Sequence, residues 1–264
     1  MPRLLRGWRR RRDVFPLAFL VAVSALGAAC ATDPVGRLEP WRAWCGPSPS
    51  RPLGCGEAGV DLAGVLSFAE LRAITLASAV ALSGFALGTP LGAVAASAGG
   101  KLERIVERGC DLVQAFPSFI LALAVLSAVR APSRLHLAAV FALTAWAPFA
   151  RLSLAQVRVL RSAGFVEAAA ALGRGRFGVL AKHVIPNLLG VVAVQLGSTG
   201  AAVVVNEAAL SFVGFGPRDG VSLGSVIDQG VAAMLRAPQV LALGAAAVFA
   251  TSAAMLLAGR AAAR

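Results

Sequence analysis

The chain has 264 residues, of which 58% are hydrophobic and 14% are charged, and its mean hydropathy is +0.75. Soluble domains carry about 25% charged residues, so this composition excludes a water-soluble globular protein and predicts an integral membrane protein with one membrane domain. The net charge of +12 comes from basic residues spread among the segments between apolar runs. That spread argues against a nucleic-acid-binding face, so no nucleic acid is expected as a partner.

Six apolar runs without charged residues predict six transmembrane helices. A tilted helix needs about 17 to 25 residues to cross a bilayer, and continuous runs of this length are too long for barrel strands. The fourth run is short, and it reaches full length only if the helix continues through Arg151 with that side chain snorkelling to water. Small residues are frequent in the runs, which favours close helix contact in lipid. The runs cover 14–32, 73–100, 112–129, 135–150, 183–206 and 237–259.

The first run follows a basic segment, 1–13, and the two together also look like a signal peptide. Cys30 comes after small residues, as a lipidated cysteine would. However, five more runs follow, and Gly27 stands where a lipobox favours Leu. The sequence therefore predicts an uncleaved first transmembrane helix at 14–32.

The predicted loop after this helix, 33–71, contains Cys45 and Cys55. A disulfide between them is an option in an oxidising compartment, and two free thiols are the alternative. Cys110 falls in an apolar surrounding, where a buried thiol is the simple interpretation.

The distribution of basic residues predicts the orientation. If the N-terminus is cytoplasmic, 17 of the 25 Lys and Arg residues fall on the cytoplasmic side. The positive-inside rule then places both termini in the cytoplasm and 33–71 outside.

The runs contain few groups that could act chemically. Pro90, Pro117 and Pro148 are either bend points or passive kinks. Glu207, at the edge of the fifth run, is the only ionisable candidate within the membrane. It is expected either to line a pathway or outer gate, or merely to reach interfacial water.

Known catalytic motifs are absent from the sequence. It has no G-x-x-x-x-G-K-[ST] phosphate loop, no G-x-S-x-G nucleophile elbow and no H-E-x-x-H. His136 and His183 are far apart, so a zinc site is not expected. The sequence predicts a non-enzymatic protein without cofactor or metal, which does not itself hydrolyse ATP. A membrane-embedded enzyme would need convergent polar residues in the runs, and their number is low.

The stretch "EAAAALGRGRFGVLAKHVIPN", 167–187, contains G-x-G-x-x-G at Gly173, Gly175 and Gly178. A dinucleotide site needs a β-strand before the glycines, but strong helix formers precede them here. The residues predict a short helix that ends at Gly173, a turn and a second helical piece, with Pro186 in the first turn of the next span. A small-residue surface of this kind suits docking into a cleft of another protein.

The same stretch resembles the EAA signature of ABC importer permeases, matching it at Glu167, Ala168, Ala169, Gly173 and Pro186. The ending "KHVIPN", with His183, Pro186 and Asn187, is similar to the dipeptide/oligopeptide/nickel branch of these importers. The segments "RPLGCGEAGVDL" and "NEAALSFVGFG" also resemble that branch. The similarity covers about residues 50 to 257 and looks like the second permease subunit. Cys55 and Gly56 depart from the Thr-Asp of the branch's outer-loop motif.

The resemblance implies an all-α type I importer permease core of five transmembrane helices at 72–260, preceded by the N-terminal helix. It implies a coupling loop at 158–187, in which the 167–173 helix receives the motion of cytoplasmic ATP-binding subunits. The other implied partners are a second permease subunit, an extracytoplasmic solute-binding protein and the lipid of a bacterial inner membrane. The substrate stays open between a dipeptide, an oligopeptide, nickel and another small solute. A structural or assembly membrane protein without transport activity is the alternative function.

Overall fold

We analysed a computed structural model, which describes residue 22, residues 39–161, residue 178 and residues 185–263. These ranges hold seven α-helices and no β-strands: α1 (Leu62–Ala98), α2 (Gly100–Ala115), α3 (Ser118–Ser127), α4 (Arg134–Arg161), α5 (Ile185–Phe212), α6 (Leu223–Ala232) and α7 (Pro238–Ala262). The all-α membrane fold predicted from the sequence is confirmed.

Helix α1 begins earlier than predicted. Asp61 is its N-cap, and its side chain accepts a hydrogen bond from the Gly64 N–H at 3.2 Å. The helix then continues through Glu70 and Arg72 without interruption. The predicted loop 33–71 therefore ends at Asp61, because a capping side chain rather than the nearest charged residue sets where a helix starts.

The third predicted span, 112–129, is wrong as a single helix. Helices α2 and α3 meet at an angle of 66°, and the backbone of Phe116 between them is extended, with ψ of 122°. Pro117 explains the break, because it offers no N–H to the preceding turn and disfavours helical geometry in the residue before it. By contrast, Pro90 and Pro148 lie inside the continuous helices α1 and α4.

The fourth span extends beyond its apolar run, as the sequence requires. Helix α4 continues through Arg151 to Arg161, so the predicted coupling loop 158–187 overlaps its last turn and the start of α5.

The short helix α6 was not predicted. It begins with a capping box in which the side chains of Ser222 and Ser225 each bond the other residue's backbone N–H, a local signal that the sequence contains.

In the described part of the chain, four helices are long and apolar enough to cross a membrane, and the bent α2–α3 pair makes five when it is counted as one broken span. These five correspond to predicted spans two to six. The first predicted span, 14–32, lies outside the described residues except for Ala22. The count of six therefore stays a prediction.

Glycines allow α1 and α4 to pack with their backbones in contact. Gly84, Gly88 and Gly92 lie at four-residue intervals on one face of α1. A Cβ added at Gly84 would lie 2.7 Å from the Ala145 carbonyl oxygen, and one at Gly88 would overlap the Trp146 carbonyl oxygen. The predicted role of small residues in helix packing is thus confirmed for this pair.

Helices α5 and α7 pack by the same means. A Cβ on Gly259 would lie 2.6 Å from the Ala193 carbonyl oxygen and 2.7 Å from the Gly197 Cα. Glycines therefore allow close backbone packing of α5 with α7 as well as of α1 with α4.

Helices α1 and α4 run in the same direction along the bundle. Near their N-termini, Arg134 Nη2 donates to the Arg72 carbonyl oxygen at 2.6 Å. Near their C-termini, Arg161 Nη1 donates to the Ala96 carbonyl oxygen at 2.5 Å. We call the first end the loop end, because residues 39–61, the cystine loop, precede α1 there. We call the second end the tail end, because residues 151–161 of α4, the α4 tail, lie there.

Candidate functional site

Most residues of the predicted coupling motif lie outside the described residues, namely Glu167, Ala168, Ala169, Gly173 and His183. Pro186 and Asn187 are described, and both are exposed in the first turn of α5, where a proline costs no intrahelical hydrogen bond. Leu188, the next residue, is buried. The motif therefore begins beyond the end of α4 and ends on an exposed turn at the tail end.

Ion pairs connect the α4 tail to α2. Arg158 bonds Glu103 Oε1 at 2.5 Å and holds both carboxylate oxygens of Glu107 at 2.9 and 3.1 Å. Arg151 pairs with Asp111 one to two turns further along. The Arg151 side chain is 48% exposed while it makes this contact, so it reaches the surface of the bundle and bonds Asp111 there.

The α4 tail is also bonded to α1, through the Arg161 side chain and the Ala96 carbonyl oxygen. The segment that carries the EAA motif thus follows directly from a tail that contacts two other helices. A displacement of that segment would reach α1 and α2 through these contacts.

A cavity of about 340 Å³, which we call the central cavity, lies between the α2–α3 bend, α4 and α5, near the middle of the length of α4 and α5. Nine of its sixteen lining residues are apolar, including Val80, Phe141 and Pro148. The other part consists of amide and hydroxyl side chains, and among the described residues no charged side chain lines it. The polar lining residues are Gln114, Ser118, Thr144, Gln195, Ser198, Thr199 and Asn206.

Helix α5 contributes most of these polar groups from one face. Gln195, Ser198, Thr199 and Asn206 follow the helical spacing of three, four and eleven residues from the first to each later one. The stripe is about 16 Å long at 1.5 Å per residue and lies at the centre of a 28-residue helix. The sequence analysis did not predict this stripe, because its residues are uncharged and few within the apolar run. The helical spacing of these polar residues is the signal that identifies the stripe.

The α2–α3 bend forms another wall of the cavity, through Phe116, Pro117 and Ser118. Non-helical backbone within a membrane is tolerated where it is buried in protein or lines a water-filled cavity. Phe116 is 66% exposed in this chain. The bend and the polar stripe therefore identify the same side of the bundle as a surface that faces water or another subunit.

Glu207 does not line this cavity, although Asn206 beside it does. Its side chain is 4% exposed, and Ser211 Oγ donates to its Oε1 at 3.3 Å. The structure thus places Glu207 inside the bundle, and its part in a pathway or outer gate stays a prediction. Adjacent residues of a helix point about 100° apart, which separates the two side chains.

The loop end has its own charged cluster. Arg72 Nη2 pairs with Asp219 Oδ1 at 3.0 Å, and the other oxygen of Asp219 accepts from the Arg134 N–H at 3.3 Å. Arg134 also donates to Thr75 Oγ1 at 2.7 Å. The segment after α5 is thereby bonded to the first turns of α4 and to α1.

The cystine loop is compact. A disulfide joins Cys45 and Cys55, whose Cα atoms are 4.8 Å apart. The Arg51 side chain lies across the loop, donating to the Gly59 carbonyl oxygen at 2.6 Å and pairing with Glu39 at 3.0 Å. The structure therefore contains the pairing that the sequence left open between a bond and two free thiols.

No group of three or more potential metal ligands occurs among the described residues. His136 contacts Ser133 Oγ at 2.7 Å in the first turn of α4, and Cys110 is buried in the core. Both have ordinary structural surroundings.

Comparison with known proteins agrees with this geometry. Residues 88–263 match the family described as the inner membrane component of binding-protein-dependent transport systems. The glutathione transport system permease of Shigella dysenteriae is 31% identical over 81% of this chain and 71% of its own length. The oligopeptide transport permease of Haemophilus influenzae is 31% identical over 59% of this chain and half of its own length. The dipeptide transport permease of Bacillus subtilis is 26% identical over 79% of this chain and 67% of its own length. The chain therefore belongs to the family of inner membrane components of binding-protein-dependent transport systems.

Proposed function

We propose that the chain is the transmembrane permease subunit of an ATP-driven ABC importer for a short peptide or a similar small solute. The single observation that carries this proposal is the match of residues 88–263 to the transport family. The relatives named as glutathione, oligopeptide and dipeptide permeases support the substrate class.

The central cavity supplies one wall of the translocation pathway. A second permease subunit completes the pathway by facing the α2–α3 bend and the polar stripe of α5. Alternating access then requires these two surfaces to separate first at one end of the bundle and then at the other. The bend at Pro117 suits this motion, since α2 and α3 are not joined by a continuous helix.

The tail end receives the driving force. Cytoplasmic ATP-binding subunits close on ATP and displace the helix predicted at 167–173, which contains Glu167, Ala168, Ala169 and Gly173. Pro186 and Asn187 carry that displacement into α5, and the contacts of Arg158 and Arg161 carry it into α2 and α1. ATP hydrolysis occurs in those partner subunits.

We place the loop end outside the bacterial inner membrane, where an extracytoplasmic solute-binding protein delivers the cargo. The excess of basic residues on the other side supports this orientation, and so does the disulfide, which needs an oxidising compartment. Reporter fusions after Gly36 and Arg218 should read outside, and those after Arg104 and Arg174 should read inside. The same result on both sides of the first span would overturn the orientation.

Three variants of the EAA segment test the coupling role. Ala169→Arg places a long charged side chain on the docking surface, while Arg is a good helix former. Gly173→Val disfavours the positive φ that the sequence predicts at the end of this helix, and such backbone strain costs about 1 to 3 kcal/mol. Both should reach the membrane at near-normal levels but lose transport and co-purification of the ATP-binding subunits.

The matched control replaces Gly175 and Gly178 together by Ala, which would ruin a dinucleotide turn. It should be much milder than either coupling variant. If this control were inactive while Ala169→Arg still transported, the docking-helix hypothesis would fall and the phosphate-loop hypothesis would return.

A further inference from the structure

We propose that the central cavity recognises the backbone amides and carbonyls of its cargo and does not distinguish the charge of the cargo's side chains. The inference rests on the proposed transport function and specifies which chemistry of a peptide the permease itself contacts. It assigns this contact to Gln195, Ser198, Thr199 and Asn206 on α5, together with Ser118 at the α2–α3 bend.

These side chains offer both kinds of hydrogen-bonding group. Each amide supplies two donors and one acceptor oxygen, and each hydroxyl supplies one donor and two acceptor sites. A peptide backbone presents the same complement at regular intervals. The polar stripe of about 16 Å matches about five residues of extended chain at 3.3 Å per residue.

The hydrogen bonds within the cavity are long and can be exchanged. Gln195 Nε2 donates to Thr199 Oγ1 at 3.2 Å, and Asn206 Nδ2 donates to Ser118 Oγ at 3.4 Å. Both exceed the usual length of about 2.9 Å for an N–H donor. Each amide therefore keeps unused hydrogen-bonding capacity for a passing solute.

Because no charged side chain of the described residues lines the cavity, its wall does not select cargo by the charge of the cargo's side chains. A fixed carboxylate or guanidinium in the wall would attract a cargo of opposite charge and repel one of like charge. The charged side chains of the described residues are found instead at the two ends of the bundle, or inside it as with Glu207. Acidic, basic and neutral side chains thus meet the same wall.

The position of the stripe argues for water rather than lipid beside it. Polar side chains within a membrane turn toward the bundle, a partner or a water-filled space. A groove between α5 and α7 is different, since most of its lining is apolar, including Val205, Phe249 and Leu256. Its polar lining residues are Ser252 and Asn206, and Asn206 lies at the border between this groove and the cavity. That groove is the natural comparison for the cavity.

Thiol labelling tests whether the cavity is open to water. Ser198→Cys and Phe249→Cys would be made in a background with Cys30→Ser and Cys110→Ser, and assembled in the complete importer in membrane vesicles. A water-soluble methanethiosulfonate should label position 198, and trialanine delivered with the binding protein should slow that labelling. Position 249, which is 75% exposed on α7, should stay unlabelled. An unlabelled position 198 would mean that lipid or a partner helix fills the cavity, and would overturn the proposal.

Uptake of three tripeptides tests the recognition. Trialanine, Ala-Lys-Ala and Ala-Glu-Ala share a backbone and differ in the central charge. Gln195→Leu and Asn206→Leu should raise KM about three- to tenfold for all three peptides alike. Gln239→Leu, at the start of α7 and outside the cavity, should change none of them. A loss confined to one charge class, or no loss in either variant, would contradict the proposal.

Adding a charge should create the selectivity that the native wall lacks. Ser198→Asp should favour Ala-Lys-Ala over Ala-Glu-Ala by about tenfold, whereas the neutral Ser198→Asn should favour neither. A wild-type importer that takes up none of the three peptides would refute the proposed function and this inference with it. Normal uptake by the wild type with no effect of the variants would refute this inference alone.

Discussion

The two ends of the bundle are both held by arginine–carboxylate contacts, but their surroundings differ. At the loop end, the side chains of Arg72 and Arg51 are each 16% exposed. At the tail end, those of Arg151 and Arg158 are 48% and 44% exposed. Both ends have arginine bonds to backbone carbonyl oxygens, and the loop end also has a disulfide.

This difference in exposure suggests that the loop end stabilises the fold and that the tail end is free to move. Contacts shielded from water keep more of their strength than exposed ion pairs, which water and salt screen. The loop end is therefore the fixed end, and the tail end can exchange its partners at small cost in free energy. That arrangement agrees with the proposal that ATP-binding subunits act on the tail end.

A displacement at the tail end can reach the loop end only through rigidly packed helices. The glycines of α1 allow such packing, because they bring the backbones of α1 and α4 into contact. Gly88→Leu should give the largest effect, because its Cβ would overlap the Trp146 carbonyl oxygen. Overpacking of this kind costs about 1 to 3 kcal/mol or more, so we expect little folded protein in a detergent-solubility assay. Gly109→Leu is the matched control, since a Cβ there would lie 3.6 Å from the Trp146 ring. Equal yields of both variants would refute the close α1–α4 packing.

Removing the disulfide should have the next largest effect. Cys45→Ser opens a loop with a sequence separation of 10, which corresponds to about 3 kcal/mol in the chain-entropy model. Thermal unfolding in detergent should show a lower midpoint, and the double variant with Cys55→Ser should match the single one. In the wild type, both thiols should resist alkylation until a reductant is added. Free labelling of either thiol in intact cells would contradict the bond.

A charge deletion at each end tests the comparison directly. Arg72→Gln should destabilise the protein by about 1 kcal/mol, because the Arg72 side chain is 16% exposed and loses its bond to Asp219, which is itself 46% exposed. Arg158→Gln should lower the unfolding midpoint less, since the Arg158 side chain is 44% exposed. If Arg158→Gln were the more destabilising of the two, the division into a fixed and a mobile end would be wrong.

The smallest expected change in stability should come with a clear change in function. Arg158→Gln should uncouple ATP hydrolysis from uptake, because the α4 tail loses both Glu103 and Glu107. Arg104→Gln is the control, as Arg104 donates within its own helix to the Gly100 carbonyl oxygen. The ratio of ATP hydrolysed to peptide imported should rise in the first variant and stay constant in the second. An unchanged ratio in both would remove the α4 tail from the coupling route.

Apolar runs were sufficient to predict α1, α4, α5 and α7, because a long run without charge has few alternatives to a membrane helix. They could not distinguish the prolines. Pro148 lies between Ala147 and Phe149, which are both fully buried, so packing maintains the helix around it. Pro117 follows the exposed Phe116 and has no such support. The difference is tertiary and cannot be derived from the local sequence.

The candidate functional site likewise has one part that the sequence predicts and one part that it does not. The EAA segment was found from sequence because its residue types and spacing are specific, and its geometry lies outside the described residues. The polar stripe of α5 was missed because Gln195, Ser198, Thr199 and Asn206 do not interrupt an apolar run. Their convergence on Ser118 and Gln114 depends on the α2–α3 bend, which the sequence analysis did not predict.

The central claim is that ATP consumed at the tail end drives a solute past the cavity. The most direct measurement is the uptake of labelled trialanine by proteoliposomes that contain the complete importer and its binding protein. The wild type should accumulate the peptide with ATP and stop with a non-hydrolysable analogue, and Ala169→Arg should show no accumulation with either. Equal accumulation without ATP hydrolysis, or normal uptake by Ala169→Arg, would contradict the account.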